Sequence, residues 1–197
     1  MKAIAFSDLH GDKKALQSII SASKKADILL CSGDLTSFQQ GLNGILRKLN
    51  SIKKPVVIIP GNHEGPRFLR EMCRKFPNIK DIHKESCIVG NLLIIGYGSG
   101  GFLQREPDFI PARKRFSKLI KAHPEKKVVM LTHAPPYGTR LDKIRREHRG
   151  NKDISDFIKK NRVEVLICGH FHENAGIVEK IGKTVAMNPG THIKIEV

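Results

Sequence analysis

An α/β layered sandwich is the fold class this sequence predicts, and three features carry the expectation. Short apolar runs alternate with polar loops and helix-like segments through the first two-thirds of the chain, which is the grammar of βαβ units. The tail from Asn174 switches to alternating apolar and polar residues around a Gly182-Lys183 turn, as a β-hairpin does. Asp, Asn and His residues fall directly after the apolar runs, where the loops beyond the carboxyl ends of parallel strands share one edge.

In order, strands are predicted at 2–6, 27–31, 55–59, 92–96, 127–132 and 163–168, and helices near 12–24, 39–51, 65–75, 110–122 and 152–161. Runs such as Val56-Val57-Ile58-Ile59 and Leu92-Leu93-Ile94-Ile95 read as buried strands, being far shorter than the roughly 20 residues of a membrane-spanning helix. Parallel strands need crossover helices on the faces of their sheet, and the closing hairpin brings antiparallel strands to a second sheet. No Gly/Ser-rich or Pro-rich linker, low-complexity tract or fixed-period repeat interrupts the chain, so residues 1–197 read as one domain. A chain of 197 residues can bury roughly 70% of its unfolded surface in such a core.

Composition narrows the function classes. Met1 leads directly into Lys2-Ala3-Ile4-Ala5-Phe6 without the pattern of a secretory signal, so a cytoplasmic location without membrane association is expected. Cys31, Cys73, Cys87 and Cys168 have neither zinc-type nor redox-type spacing and read as reduced core residues. A formal net charge of +16 points to an anionic partner without naming it. A purely charge-driven nucleic-acid binder is disfavoured by 6% aromatic content and no Trp, which leave little stacking surface. Oligomeric state is not readable.

Asp8 and His10 follow the first strand, Asp34 the second, Asn62 and His63 the third, His133 the strand at 127–132, and His170 with His172 the strand at 163–168. Singly, each is an ordinary surface residue. Together, in order and each behind a strand, they converge on one polar cluster. Oxygen and imidazole ligands without thiolate suit manganese, iron or zinc. Asp8, His10, Asp34, Asn62, His133, His170 and His172 are too many for one tetrahedral ion; two divalent ions sharing a carboxylate would use them all.

Asp8-Leu9-His10, Gly33-Asp34, Gly61-Asn62-His63-Glu64, Thr132-His133 and Gly169-His170-Phe171-His172 resemble the five signatures of the calcineurin-like metallophosphoesterase superfamily, in order along almost the whole chain. The resemblance implies a four-layer αββα sandwich of two mixed β-sheets flanked by helices. It implies that Asp8, His10 and His172 hold one metal, that Asn62, His133 and His170 hold the other, and that Asp34 bridges them. His63 would be the outer-sphere catalytic histidine, an imidazolium beside the leaving oxygen. His83, His123 and His192 fall outside the signatures and are read as bystanders. The implied reaction is phosphoester hydrolysis by a metal-bridging hydroxide, with manganese the favoured ion in vitro. A protein that keeps the fold without the chemistry is disfavoured, because no ligand is missing.

One departure bears on substrate. The protein Ser/Thr phosphatases of this superfamily extend Gly-Asp with an acidic element that partners the catalytic histidine, whereas Asp34 is followed here by Leu35-Thr36-Ser37-Phe38. Thr132-His133-Ala134-Pro135-Pro136-Tyr137-Gly138-Thr139 and Asn188-Pro189-Gly190 resemble small prokaryotic phosphodiesterase-like members. A phosphodiester is therefore expected, with a phosphomonoester as the alternative and nucleotide or nucleic acid among the candidate substrates. Arg140, Arg145, Arg146 and Arg149 follow the strand that carries His133, so a phosphate clamp is expected of them. Lys doublets at 24–25, 53–54, 126–127 and 159–160 precede strands and belong on the opposite edge, several as helix C-terminal charge.

Overall fold

The computed structural model describes residues 1–101 and 103–197. β1 (Lys2–Phe6), β2 (Ile28–Cys31), β3 (Val56–Ile58) and β4 (Ile79–Asp81) pair in sequence order as parallel neighbours, and β13 (Ile193–Glu196) runs antiparallel along β1. The second sheet has the order β11 (Val178–Ile181), β12 (Thr184–Met187), β10 (Val165–Ile167), β7 (Lys127–Thr132), β6 (Leu92–Tyr97), β5 (Glu85–Val89); its two edge strands are antiparallel to their neighbours. A small hairpin, β8 (Lys143–Ile144) with β9 (Glu147–His148), stands apart.

Alternation along the strands builds the layers. In the first sheet Ile4, Phe6, Leu29, Cys31, Val56 and Ile58 face α1 (Lys13–Ser23), α2 (Leu42–Asn50) and α3 (Pro66–Cys73). Their neighbours Ala3, Ala5, Ile28, Leu30 and Val57 face the second sheet, meeting Leu92, Ile94, Val129, Leu131 and Ile167. Leu93, Ile95, Val128 and Met130 point the other way, onto α4 (Phe109–Ala122) and α5 (Lys152–Lys160). Three apolar seams between four layers are the αββα sandwich. Both faces of the central strands are buried, which is why those runs read as continuously apolar.

All six predicted strands and all five predicted helices form, with ends shifted by up to three residues. Strands β4, β5, β8, β9 and β13 were outside the prediction: all are short, and most border solvent, so their alternation carries little signal. The shift at α2 has a consequence for the site. Expected from residue 39, the helix begins at Leu42, because Phe38 (φ 51°) and Gln39 (φ 67°) hold left-handed backbone instead.

The four thiols are unpaired, and three are buried. Burial pushes Cys73 up to about 12 and Cys87 to about 11, and raises Cys31 and Cys168 well above the ordinary thiol value, so all four are inert packing groups. Lys54 donates to the carbonyls of Ser23, Lys24 and Ala26, closing the C-terminus of α1 from the strand side. No helix among the described residues is long and apolar enough to cross a membrane.

Candidate metal centre

The loops that follow β1, β2, β3, β7 and β10 meet at one edge, and they bring all seven expected ligands and His63 together. Asp34 lies at the middle. Its Oδ1 accepts the His63 N–H at 2.9 Å, which leaves Oδ2 facing Nε2 of His133 at 3.4 Å, of His10 at 3.7 Å and of His63 at 4.0 Å. On one side Asn62 Oδ1 lies 2.8 Å from His133 Nε2 and 3.0 Å from His170 Nδ1. On the other, Nε2 of His10 and His172 approach to 3.0 Å, with Asp8 Oδ1 3.8 Å from His172 Nε2. Asp8–His10–His172, His10–Asp34–His63 and Asp8–Asp34–His133 each present three ligand atoms within 4.8 Å of one another.

These side chains are aimed by strained backbone. Asp8 (φ 52°), His10 (φ 46°), Asp34 (φ 52°) and His170 (φ 73°) all hold the left-handed region that L-residues avoid. Close approach between the loops makes glycine obligatory beside them. A Cβ on Gly61 would lie 2.0 Å from Asp34 Oδ1, and one on Gly169 would lie 2.6 Å from Asp8 Oδ2.

Glu64, quoted in a motif but given no role by sequence reasoning, is the anchor of this arrangement. Its buried carboxylate accepts the backbone N–H groups of Asp34 (3.0 Å), Thr36 (2.9 Å) and Gly61 (3.0 Å) and the Thr36 hydroxyl (2.7 Å). The loop from Gly98 to Gly101 was also missed. A Cβ on Gly101 would lie 2.8 Å from His170 Cε1, so this loop rests on the His170 ring. It is held by His83, whose Nδ1 accepts the Gly98 N–H at 3.1 Å; burial pushes His83 down to about 4, keeping it neutral. His83 was expected to be a bystander and instead supports the site from behind. The only signal in the sequence was the glycine run itself.

Charge is distributed in a way that suits a cation. Burial would raise Asp34, but the hydrogen bond and charge of His133, and then His63, hold it below the ordinary carboxylate range. Burial would lower His133, yet Asp34, then Asp8 and the Ser32 carbonyl, raise it above the usual imidazole value. His170 is pushed down to about 4 by burial and by repulsion from His133. His133 donates from Nδ1 to the Ser32 carbonyl at 2.9 Å, so in a neutral ring the Nε2 lone pair would face Asn62 Oδ1 and Asp34 Oδ2. Acceptors aimed at acceptors need a proton or a cation between them, and the donor set fits a divalent ion on these grounds. The site also has an open side: His133 is 0% exposed, whereas the His172 side chain is 59% exposed.

A family model for calcineurin-like phosphoesterases matches residues 1–174. The chain belongs to this family. Calcineurin-like phosphoesterases use divalent metals to hydrolyse phosphate esters, and membership places the chain among hydrolases. An uncharacterized protein of Methanocaldococcus jannaschii is 28% identical over 96% of this chain and 88% of its own length. A probable cyclic nucleotide phosphodiesterase of Fibrobacter succinogenes is 26% identical over 96% of this chain and 74% of its own. The TT1561 protein of Thermus thermophilus shares the fold at a TM-score of 0.76, with 19% identity over 96% of this chain and 88% of that one.

His63 stands without the acidic partner, as the Leu35-Thr36-Ser37-Phe38 sequence after Asp34 leads one to expect. Among the described residues no carboxylate takes its Nδ1; the Phe38 backbone N–H donates to it at 3.3 Å. With Nδ1 accepting from that N–H, the ring proton lies on Nε2, the nitrogen nearer Asp34. The backbone of the departing Leu35–Phe38 segment thus fills the place of the acidic partner.

The arginines divide. Arg145 and Arg146 are exposed at the turn of the β8–β9 hairpin and line a cavity of about 730 Å³ with Glu173, the residue after His172. Arg149 lines it too but pairs with Glu147, and the Arg140 backbone N–H is taken by Glu179. Asp142 builds the loop: fully buried, it accepts from the N–H groups of Gly138, Thr139 and Gly150 and pairs with His148 at 2.7 Å.

Two outcomes are expected here. Glu64→Ala leaves three buried N–H groups without an acceptor, and urea unfolding should show a loss of about 3 kcal/mol or more, with Glu64→Gln losing less. The raised His133 keeps its proton above the usual imidazole range, so a metal ion must displace it. Metal affinity should rise with pH through that region, and loading at about pH 6.5 should release on the order of one proton. Calorimetry in buffers of different ionisation enthalpy measures this; no release would show that Asp34 does not hold His133 protonated.

Proposed function

We propose that the chain is a dinuclear-metal phosphodiesterase working as one domain over residues 1–197. The observation that carries this is the position of Asp34 Oδ2. It faces His10 on one side and His133 on the other, as a carboxylate shared by two ions would. In this reading Asp8, His10 and His172 hold one ion and Asn62, His133 and His170 the other. The donor types favour manganese, iron or zinc. When bound, the ion pair would supply an activated water and positive charge for the non-bridging phosphate oxygens.

The chain's own groups do the rest. The Ser32 carbonyl fixes the His133 ring by accepting from Nδ1, so that Nε2 points into the cluster. His63, with its proton on Nε2, would donate a hydrogen bond to the departing oxygen as negative charge develops there. Arg145 and Arg146, at the turn of the hairpin that Asn174 ties to the His172 turn through the Leu141 and Lys143 carbonyls, would engage further phosphates of a multiply charged substrate. Preference for a diester is supported by the missing acidic extension after Asp34 and by the named activity of the Fibrobacter relative. A cytoplasmic location remains part of this reading.

Chelation should abolish hydrolysis and Mn²⁺ restore it, with about two ions bound per chain and higher kcat/KM on bis-p-nitrophenyl phosphate than on p-nitrophenyl phosphate. Asp34→Asn should lose both ions and turnover, whereas His63→Gln should lower kcat roughly a hundredfold with metal content retained. Consistent monoester preference would reverse the diester assignment, and equal metal loss in both variants would remove His63 from its outer-sphere role.

Replacing Arg145 and Arg146 together with alanine should raise KM for an oligonucleotide about tenfold, and less for a small diester. The effect should shrink as salt rises. Lys159 and Lys160 end α5, before β10, on the opposite edge, and serve as the control pair. Equal effects from both double variants would reduce the clamp to net charge.

A further inference from the structure

Phe38 has an arrangement that packing does not explain. A core phenylalanine hides its ring, whereas Phe38 is 75% exposed, more than any other large hydrophobic among the described residues. It stands at φ 51° and is followed by Gln39 at φ 67°, two successive left-handed residues at the start of the helix expected from residue 39. A bulky side chain in that region is strained and persists only where its surroundings impose it. Here two contacts accompany it. The Phe38 N–H donates to His63 Nδ1 at 3.3 Å, and the Phe38 ring packs edge-on to the His63 ring with centroids 4.5 Å apart. The His63 ring in turn lies 4.9 Å from that of His10. An apolar ring open to water therefore stands at the rim of the candidate metal cluster, with only the His63 ring between it and His10.

We propose that Phe38 is a stacking platform for a planar heteroaromatic group of the substrate, and that the substrate class is a nucleotide or nucleotidyl phosphodiester whose base lies on the Phe38 ring while its phosphate lies at the metal cluster. The inference rests on the phosphodiesterase reading and narrows its substrate. An aromatic face accepts any base, because every base has a π-face, and such stacking is lost on alanine substitution. The edge-on contact with His63 leaves most of the ring surface uncovered, as the exposure of the side chain records. The chain's charge of +16 favours the approach of an anionic nucleotide. The backbone N–H that holds His63 belongs to the same residue, so an alanine variant keeps that hydrogen bond to Nδ1 while removing the platform and its edge contact with the His63 ring.

The test compares kcat/KM for thymidine 5′-p-nitrophenyl phosphate and methyl p-nitrophenyl phosphate, two diesters with the same leaving group, in the Mn²⁺-loaded wild type, Phe38→Ala and Phe38→Trp. The wild type should prefer the thymidine ester. Phe38→Ala should reduce that preference by about fivefold to a hundredfold, and Phe38→Trp should retain it. A preference unchanged by Phe38→Ala, with both esters slowed alike, overturns the platform and leaves Phe38 as a cover for His63. If neither ester is hydrolysed, the phosphodiesterase reading fails by itself. The platform is then judged by calorimetry of the Mn²⁺-loaded protein with AMP and ribose 5-phosphate: loss of the AMP advantage in Phe38→Ala upholds it, and an undiminished advantage rejects it.

Discussion

A single buried carboxylate joins the loops on which the candidate site depends. Glu64 receives N–H groups from the loop after β2, through Asp34 and Thr36, and from the loop after β3, through Gly61. Neither loop has a ladder to satisfy its backbone once the strands end, and in a buried position each orphan N–H would carry a desolvation cost. One acceptor with four lone-pair sites removes that cost for both. It also brings the loops so close that Gly33 and Gly61 have no room for side chains: a Cβ on Gly33 would lie 2.5 Å from the Gly61 nitrogen. Asp34, Asn62 and His63 inherit their positions from that contact.

The left-handed backbone at Asp8, His10, Asp34 and His170 follows from the same geometry. A chain leaving a strand and turning back within two or three residues cannot keep every side chain in the β region and still aim several of them at one point. The strain is sustained by hydrogen bonds between loops, such as the His170 N–H to Asp8 Oδ1 at 3.0 Å and the His63 N–H to Asp34 Oδ1 at 2.9 Å. These contacts use one carboxylate oxygen for architecture and leave others for chemistry. At Asp34 the division is clear, since Oδ1 holds the neighbouring loop and Oδ2 faces three imidazoles.

Positive charge is sorted by position. Lys54 is consumed at the C-terminus of α1, and Arg70 is paired with Asp81 at 2.9 Å and Glu85 at 3.0 Å; both serve the fold. Arg105 is likewise engaged by Asp153 at 2.8 Å. At the turn of the β8–β9 hairpin, by contrast, Arg145 and Arg146 stand exposed beside the turn that bears His172. A net charge read from composition counts all of these alike, whereas the distribution separates structural cations from those facing the cavity.

The sequence by itself determined the layers and the ligand-type residues of the cluster. Runs buried on both faces, as in Val56–Ile58 and Leu92–Tyr97, have a local signature, and residues placed directly after parallel strands converge by topology alone. Asp8, His10, Asp34, Asn62, His63, His133, His170 and His172 were legible for that reason. Edge strands such as Glu85–Val89, half exposed, carry too weak an alternation to read. What only tertiary structure decided were contacts between segments distant in the chain. Glu64 bridges two loops, Gly101 rests on His170, and the Phe38 N–H takes the place of an acidic partner at His63. Each depends on distances across the fold, and a residue's spacing to its own neighbours holds no record of which distant backbone group its side chain will meet.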